Sequence, residues 1–128
     1  MKYTKIKSYA KINLALNITG KHSFLHKIET IIAFIRLHDE IMIKRIKSNK
    51  HSISFSGKFS QNINKNNTVS KLFQILEKKK LLKNKKFKIK INKRIPNEAG
   101  LGGGSMNAAS ILSYLAKKRI INTNKKGL

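Results

Sequence analysis

Four glycines fall within five positions, Gly100, Gly102, Gly103 and Gly104, directly ahead of Ser105-Met106-Asn107-Ala108-Ala109. Glycine lets a backbone turn sharply and approach a ligand closely. A helix opening near Ser105 would aim its free N–H groups and the positive end of its dipole back at that loop. Such a junction binds anions and suits nucleotide phosphates. The small pair Ala108 and Ala109 permits close packing beneath it. Two other phosphate motifs fail here. A P-loop ends in Gly-Lys-Ser/Thr, and Gly104-Ser105 has no lysine between. A dinucleotide fingerprint needs a third glycine where Ser105 stands and an acid further on, and no acid follows Glu98. A plain linker rarely carries an apolar residue such as Leu101 among its glycines with an alanine-rich helix behind.

The elements that position this loop follow from periodicity. Ile12, Leu14, Leu16 and Ile18 alternate with Lys11, Asn13, Ala15 and Asn17, which predicts a strand over 11–18 with Lys11 and Asn13 on the face opposite the core. A turn-rich stretch runs from Lys21 to His26. The apolar run 28–35 predicts a buried strand. His38-Asp39-Glu40 reads as a turn before a strand at 41–47. Residues 52–56 alternate and end at Gly57. Val69, Leu72, Phe73 and Leu76 recur at helical spacing, which predicts a helix over 69–80 capped by Thr68 or Asn67, with Lys78–Lys80 at its negative end. Phe87, Ile89 and Ile91 alternate with lysines in a further strand, which Pro96 stops. The last helix runs from Ser105 with Ala108, Ala109, Leu112 and Leu115 on its apolar side. Strands early and helices late make the class α+β.

The whole chain is 128 residues with 29 Lys+Arg against 5 Asp+Glu, a formal charge of +24. That length fits one domain. The absence of Cys excludes disulfides, Cys-based zinc sites and thiol catalysis. No apolar run is long enough for a bilayer, and the basic start Met1–Lys7 leads into no signal core. A soluble, cytoplasmic protein is expected. The charge suggests a polyanion partner such as RNA. However, Lys outnumbers Arg by 25 to 4, and Lys, Ile and Asn dominate, as A/T-rich codons would dictate. Nucleic-acid readers lean on Arg and on stacking aromatics, which are only 7% here and do not cluster with the charges. No specific nucleic acid is expected, although salt-sensitive sticking to polyanions is. His22, His38 and His51 have no ligand spacing. Glu29 and Glu98 read as local ion-pair partners, and Lys83–Lys90 as solvated surface.

Three segments together resemble the GHMP kinases. Ser8-Tyr9-Ala10-Lys11-Ile12-Asn13-Leu14 is similar to an "AKxNL" strand. Gly20-Lys21 with His26, Ile28, Glu29 and Thr30 is similar to a "GKR.DGYH.IET" segment. Pro96 to Ala109 is similar to a "P..AGLGGGSSNAA" loop. Order and spacing agree over nearly the whole chain. The two N-terminal motifs narrow the likeness to the branch that phosphorylates a cytidine diphosphate-linked methylerythritol on a route to isoprenoids.

The resemblance implies the family's N-terminal domain, a two-layer α/β sandwich shared with a ribosomal protein domain, and transfer of the ATP γ-phosphate to an alcohol with Mg²⁺. It assigns Lys11 as the catalytic lysine and Asn13 and His26 as substrate contacts. Pro96, Ala99, Gly100, Leu101, Gly102, Gly103, Gly104 and Ser105 become the phosphate-binding loop. There are departures. The segment between Gly20 and His26 is one residue short and lacks Asp-Gly. Leu25 replaces a tyrosine whose stacking on a base is worth about 1–3 kcal/mol, and Met106 replaces a serine. The family's catalytic aspartate lies in a "G.DVP" segment after the loop helix, whereas residues 99–128 contain no acid. Residues 1–128 are therefore expected to be an incomplete N-terminal domain, truncated before its C-terminal partner and without normal turnover alone. The competing expectations are a basic nucleic-acid binder and an inactive remnant.

Overall fold

The structure, a computed structural model, describes residues 2–11, 28–29, 36–96 and 103–122. Four strands and two helices are defined there: β1 (Thr4–Tyr9), β2 (His38–Ile46), β3 (Ser52–Ser56), α1 (Thr68–Lys78), β4 (Lys86–Asn92) and α2 (Gly103–Lys117). They form one sheet in the order β1-β2-β4-β3. The pairs β1–β2 and β2–β4 are antiparallel, and β3–β4 is parallel. A parallel pair needs a crossover connection, which α1 supplies. The α+β expectation holds.

The sheet buries one face. Across it the register aligns Ile6 with Ile41, Ile41 with Ile91, and Ile91 with Phe55, while Ile43 pairs with Ile89 and Ile89 with Ile53. Ile41, Ile43, Phe87, Ile89 and Ile91 are fully buried against Val69, Phe73 and Leu76 of α1 and Ile111 and Leu115 of α2. Period two on the strands and period 3.6 on the helices thus meet in one core. Asn67 caps α1, its side-chain oxygen accepting from Ser70 N–H at 2.9 Å. No helix among the described residues is long and apolar enough to cross a membrane.

Several expectations are corrected. His38-Asp39-Glu40 is not a turn but the start of β2, paired with Tyr9, Ser8 and Lys7. Polar residues extend this strand because Asp39 finds buried partners. Strand β1 was not anticipated, although Thr4 and Ile6 alternate with Lys5 and Lys7. Ile28 and Glu29, expected in a buried strand, are helical and exposed, as is Arg36. An apolar run alone does not distinguish strand from helix. Lys11, expected to open a strand over 11–18, lies in no strand, and the rest of that stretch and of 28–35 lie outside the described residues. Helix α1 stops at Lys78 rather than Lys80, which takes a positive φ of 55°. Helix α2 starts two residues before Ser105. Its buried stripe is Asn107, Ile111 and Leu115, with Ala109 exposed and Ala108 and Leu112 half-buried. Within the lysine run, Lys86 is half-buried and paired with Glu77 at 2.8 Å.

Candidate functional site

At one end of the sheet the inward-facing positions change from apolar to polar. Ile43 and Ile41 are followed at period two by Asp39, and Ile6 by Ser8, so both polar residues continue the buried stripe. Asp39 and Ser8 are 0% exposed, Asn107 1% and Lys93 3%. Lys93 follows β4, and Asn107 lies one turn inside α2. The Asp39 Oδ2 atom accepts from Lys93 Nζ at 2.6 Å and from Asn107 Nδ2 at 3.0 Å. Its Oδ1 accepts from the backbone N–H groups of Arg94 at 2.6 Å and Ile95 at 2.8 Å. Lys93 Nζ also donates to Asn107 Oδ1 at 2.9 Å, and Asn107 Nδ2 to Ser8 Oγ at 2.9 Å. Every member is satisfied, as a buried polar cluster must be to avoid a desolvation cost.

This cluster underlies the start of α2. A Cβ added to Gly103 would sit 3.3 Å from Lys93 Nζ and 3.4 Å from Ile95 Cγ2. One added to Gly104 would sit 3.3 Å from Thr68 Oγ1, at the first turn of α1. Glycine at these positions lets the N-termini of both helices come together. Beside them opens a cavity of about 270 Å³. Phe55, Ile63 and Val69 give it apolar walls, Asn64, Asn66, Asn67 and Asn107 line it with amides, and Thr68, Lys71, Lys93 and Gly104 complete it. The first N–H groups of α2 have no acceptor within the helix. Apolar walls and amides suit a planar heterocycle, while helix ends and ammonium groups suit attached phosphates.

The predicted site residues fall as follows. Gly103, Gly104 and Ser105 form the first turn of α2 rather than a loop before it. Pro96 is half-buried just after Ile95. Lys11 is exposed and follows Ala10, whose N–H bonds Leu37 O at 3.0 Å beyond the β1–β2 ladder. It therefore leaves the sheet at the same end as Ser8, Asp39 and the start of α2. Asn13, His26, Ala99, Gly100, Leu101 and Gly102 lie outside the described residues. The sequence reading missed Asp39, Lys93 and Asn107. One signal was available: Asp39 continues the period of Ile41 and Ile43, and Asn107 stands four residues after Gly103, on the same helix face.

A second polar cluster lies elsewhere and serves the fold. His51, given no role from sequence, accepts Phe87 N–H on Nδ1 at 3.1 Å and contacts Glu77 Oε1 through Nε2 at 2.7 Å. Its ring packs against Phe73 and stacks on Phe87. Burial lowers the His51 pKa below its ordinary value, against an upward pull from Glu77. The hydrogen bond from Lys86 lowers that of Glu77.

Comparison with known proteins agrees with the geometry. The pattern of the GHMP kinases N terminal domain matches residues 67–126, from the cap of α1 through α2. A 4-diphosphocytidyl-2-C-methyl-D-erythritol kinase of Pelagibacter ubique is 60% identical over 121 residues, 94% of this chain and 43% of the relative. The enzymes of the same name from Finegoldia magna and Caldicellulosiruptor bescii are 37% and 34% identical, over 95% and 97% of this chain. The chain thus spans less than half the length of these relatives. The match to the N-terminal domain pattern and the identity to the Pelagibacter ubique enzyme together show that the chain belongs to the GHMP kinases.

Proposed function

We propose that this chain is the ATP-binding part of a kinase that phosphorylates the 2-hydroxyl of 4-diphosphocytidyl-2-C-methyl-D-erythritol, in the methylerythritol phosphate route to isoprenoids. The observation that carries the reading is the meeting of two helix N-termini, through Gly104 and Thr68, at a cavity lined by Lys93. The amide-lined side of the cavity receives the base. The N–H groups and dipole of α2 hold the phosphates, and Pro96 and Ala99 to Ser105 are the residues assigned to them in this reading. Lys11, at the same end of the sheet, supplies a cation for the charge that develops between hydroxyl and γ-phosphate. Asn13 and His26 contact the cytidine substrate. The setting is cytoplasmic, with a small-molecule partner and no specific nucleic acid.

Mg²⁺ accompanies ATP in this reading, held mainly by phosphate oxygens and water, as is usual for that ion. The described residues do not fit a metal cage of their own. Both oxygens of Asp39 are engaged, and among the described residues no cluster of three His, Cys, Asp or Glu could hold an ion. For the same reason Asp39 is not the base for the acceptor hydroxyl. The chain is expected to bind ATP.

Isothermal titration of the chain with ATP tests this. Saturable binding is expected, lost in Gly103→Val, whose side chain must displace Lys93 and Ile95. A folded chain that ignores ATP, or that binds RNA in a salt-sensitive way unaffected by Gly103→Val, would overturn the reading.

A further inference from the structure

One carboxylate ties the chain leaving β4 to the start of α2. On the β4 side, Asp39 Oδ1 accepts the N–H groups of Arg94 and Ile95, which lie past the end of β4 and outside any ladder. On the α2 side, Asp39 Oδ2 accepts from Asn107. Lys93 Nζ joins the two arms by donating to Asp39 Oδ2 and Asn107 Oδ1. Its ammonium also packs where a Gly103 side chain would stand. From the other side, Asn107 is tied to Ser8 of β1. The anchor is therefore fixed to the two strands, β1 and β2, that lead away from this end of the sheet.

A buried ion pair is an inefficient way to gain stability, because apolar residues of similar size often do as well. What it offers here is geometry. Two backbone donors, an ammonium and an amide converge on two oxygens, so neither side can shift without leaving a buried donor unpaired. We propose that Asp39, acting with Lys93 and Asn107, is a positioning residue that fixes the start of α2 against the chain leaving β4, and with it the aim of the α2 N–H groups at phosphate. The proposal rests on the nucleotide reading above and deepens it. It assigns Asp39 no contact with the ligand.

The test compares ATP with adenosine. Asp39→Asn preserves size, but its amide must turn donors toward either Lys93 or the Arg94 and Ile95 N–H groups. ATP affinity should fall at least tenfold, while adenosine affinity changes less than twofold. A merely structural role would weaken both ligands alike. Equal affinities for wild type and variant, or a parallel loss for adenosine, overturn the proposal. If Asp39→Asn does not fold, Asn107→Leu removes the α2 arm together with the Lys93 and Ser8 contacts of Asn107 and should separate the two ligands in the same direction. Amide hydrogen exchange of the wild type gives a ligand-free reading. Arg94 and Ile95 should exchange as slowly as the interior of β4, and rapid exchange there overturns the anchor. A wild-type chain that binds neither ligand removes the nucleotide reading, and slow exchange at those amides then shows the anchor surviving as geometry.

Discussion

The imidazole of His51 offers a quantitative check on the packing. Its Nδ1 accepts the N–H of Phe87, so Nε2 carries the proton and donates to Glu77. Its ring centroid lies 4.7 Å from Phe73 and 6.1 Å from Phe87. Replacing it with phenylalanine keeps the ring but leaves the Phe87 N–H without an acceptor, at a cost of about 1–3 kcal/mol. Replacing it with alanine also removes ring contacts worth about 0.5–1.5 kcal/mol per pair. Denaturant titration at pH 7.5 should therefore order stability as wild type, His51→Phe, His51→Ala. The pH dependence carries a sign. Burial depresses the folded-state pKa of His51, so the unfolded chain binds the extra proton first as pH falls. The histidine's contribution is complete above its unfolded pKa of about 6.5 and is lost as pH falls through the lower folded value. The gap between wild type and His51→Phe should narrow over that window. Equal stability of the two proteins at pH 7.5, or a gap that widens on acidification, would refute the assigned tautomer. ATP binding should be unchanged, since His51 does not line the cavity.

Three further outcomes are expected. Gly57 has φ of +96°, and a Cβ there would overlap the Asn92 side-chain oxygen and sit 2.8 Å from Lys93 O; Gly57→Ala should destabilise by more than the ~1–2 kcal/mol of a left-handed residue alone, read by thermal unfolding. Asn67→Ala removes the α1 cap, and a loss of about 0.5–2 kcal/mol is expected in the same assay. On the sheet face turned from the core, Lys44 and Lys90 lie 4.6 and 5.2 Å from the Tyr3 ring centre; heparin retention should fall steeply with salt and persist in Gly103→Val, as expected of charge rather than of the nucleotide site.

Local pattern was enough for the elements whose buried face repeats regularly along consecutive residues. Ser52–Ser56 and the Phe87-Ile89-Ile91 stripe follow from period two, and the Val69, Phe73, Leu76 stripe from period 3.6. The glycine-to-helix junction was legible because its requirement, backbone without Cβ beside a helix start, is written in consecutive residues. The helix boundary was not, since Gly103 and Gly104 are admitted to α2 by contacts with Lys93 and Thr68, distant in sequence. His38-Asp39-Glu40 misled for the same reason: its polarity suits a turn unless a buried ammonium and two backbone donors await it.

The sequence by itself determined the α+β class, the period of the core and a phosphate-suited glycine segment, because each depends on spacing along the chain. Only the tertiary structure decided that Lys93 and Asp39 are buried together beneath the start of α2. Composition makes Lys93 indistinguishable from its solvated neighbours. The distinction arises when β2, the end of β4 and α2 converge, and a charge that would be costly to bury alone finds its partner.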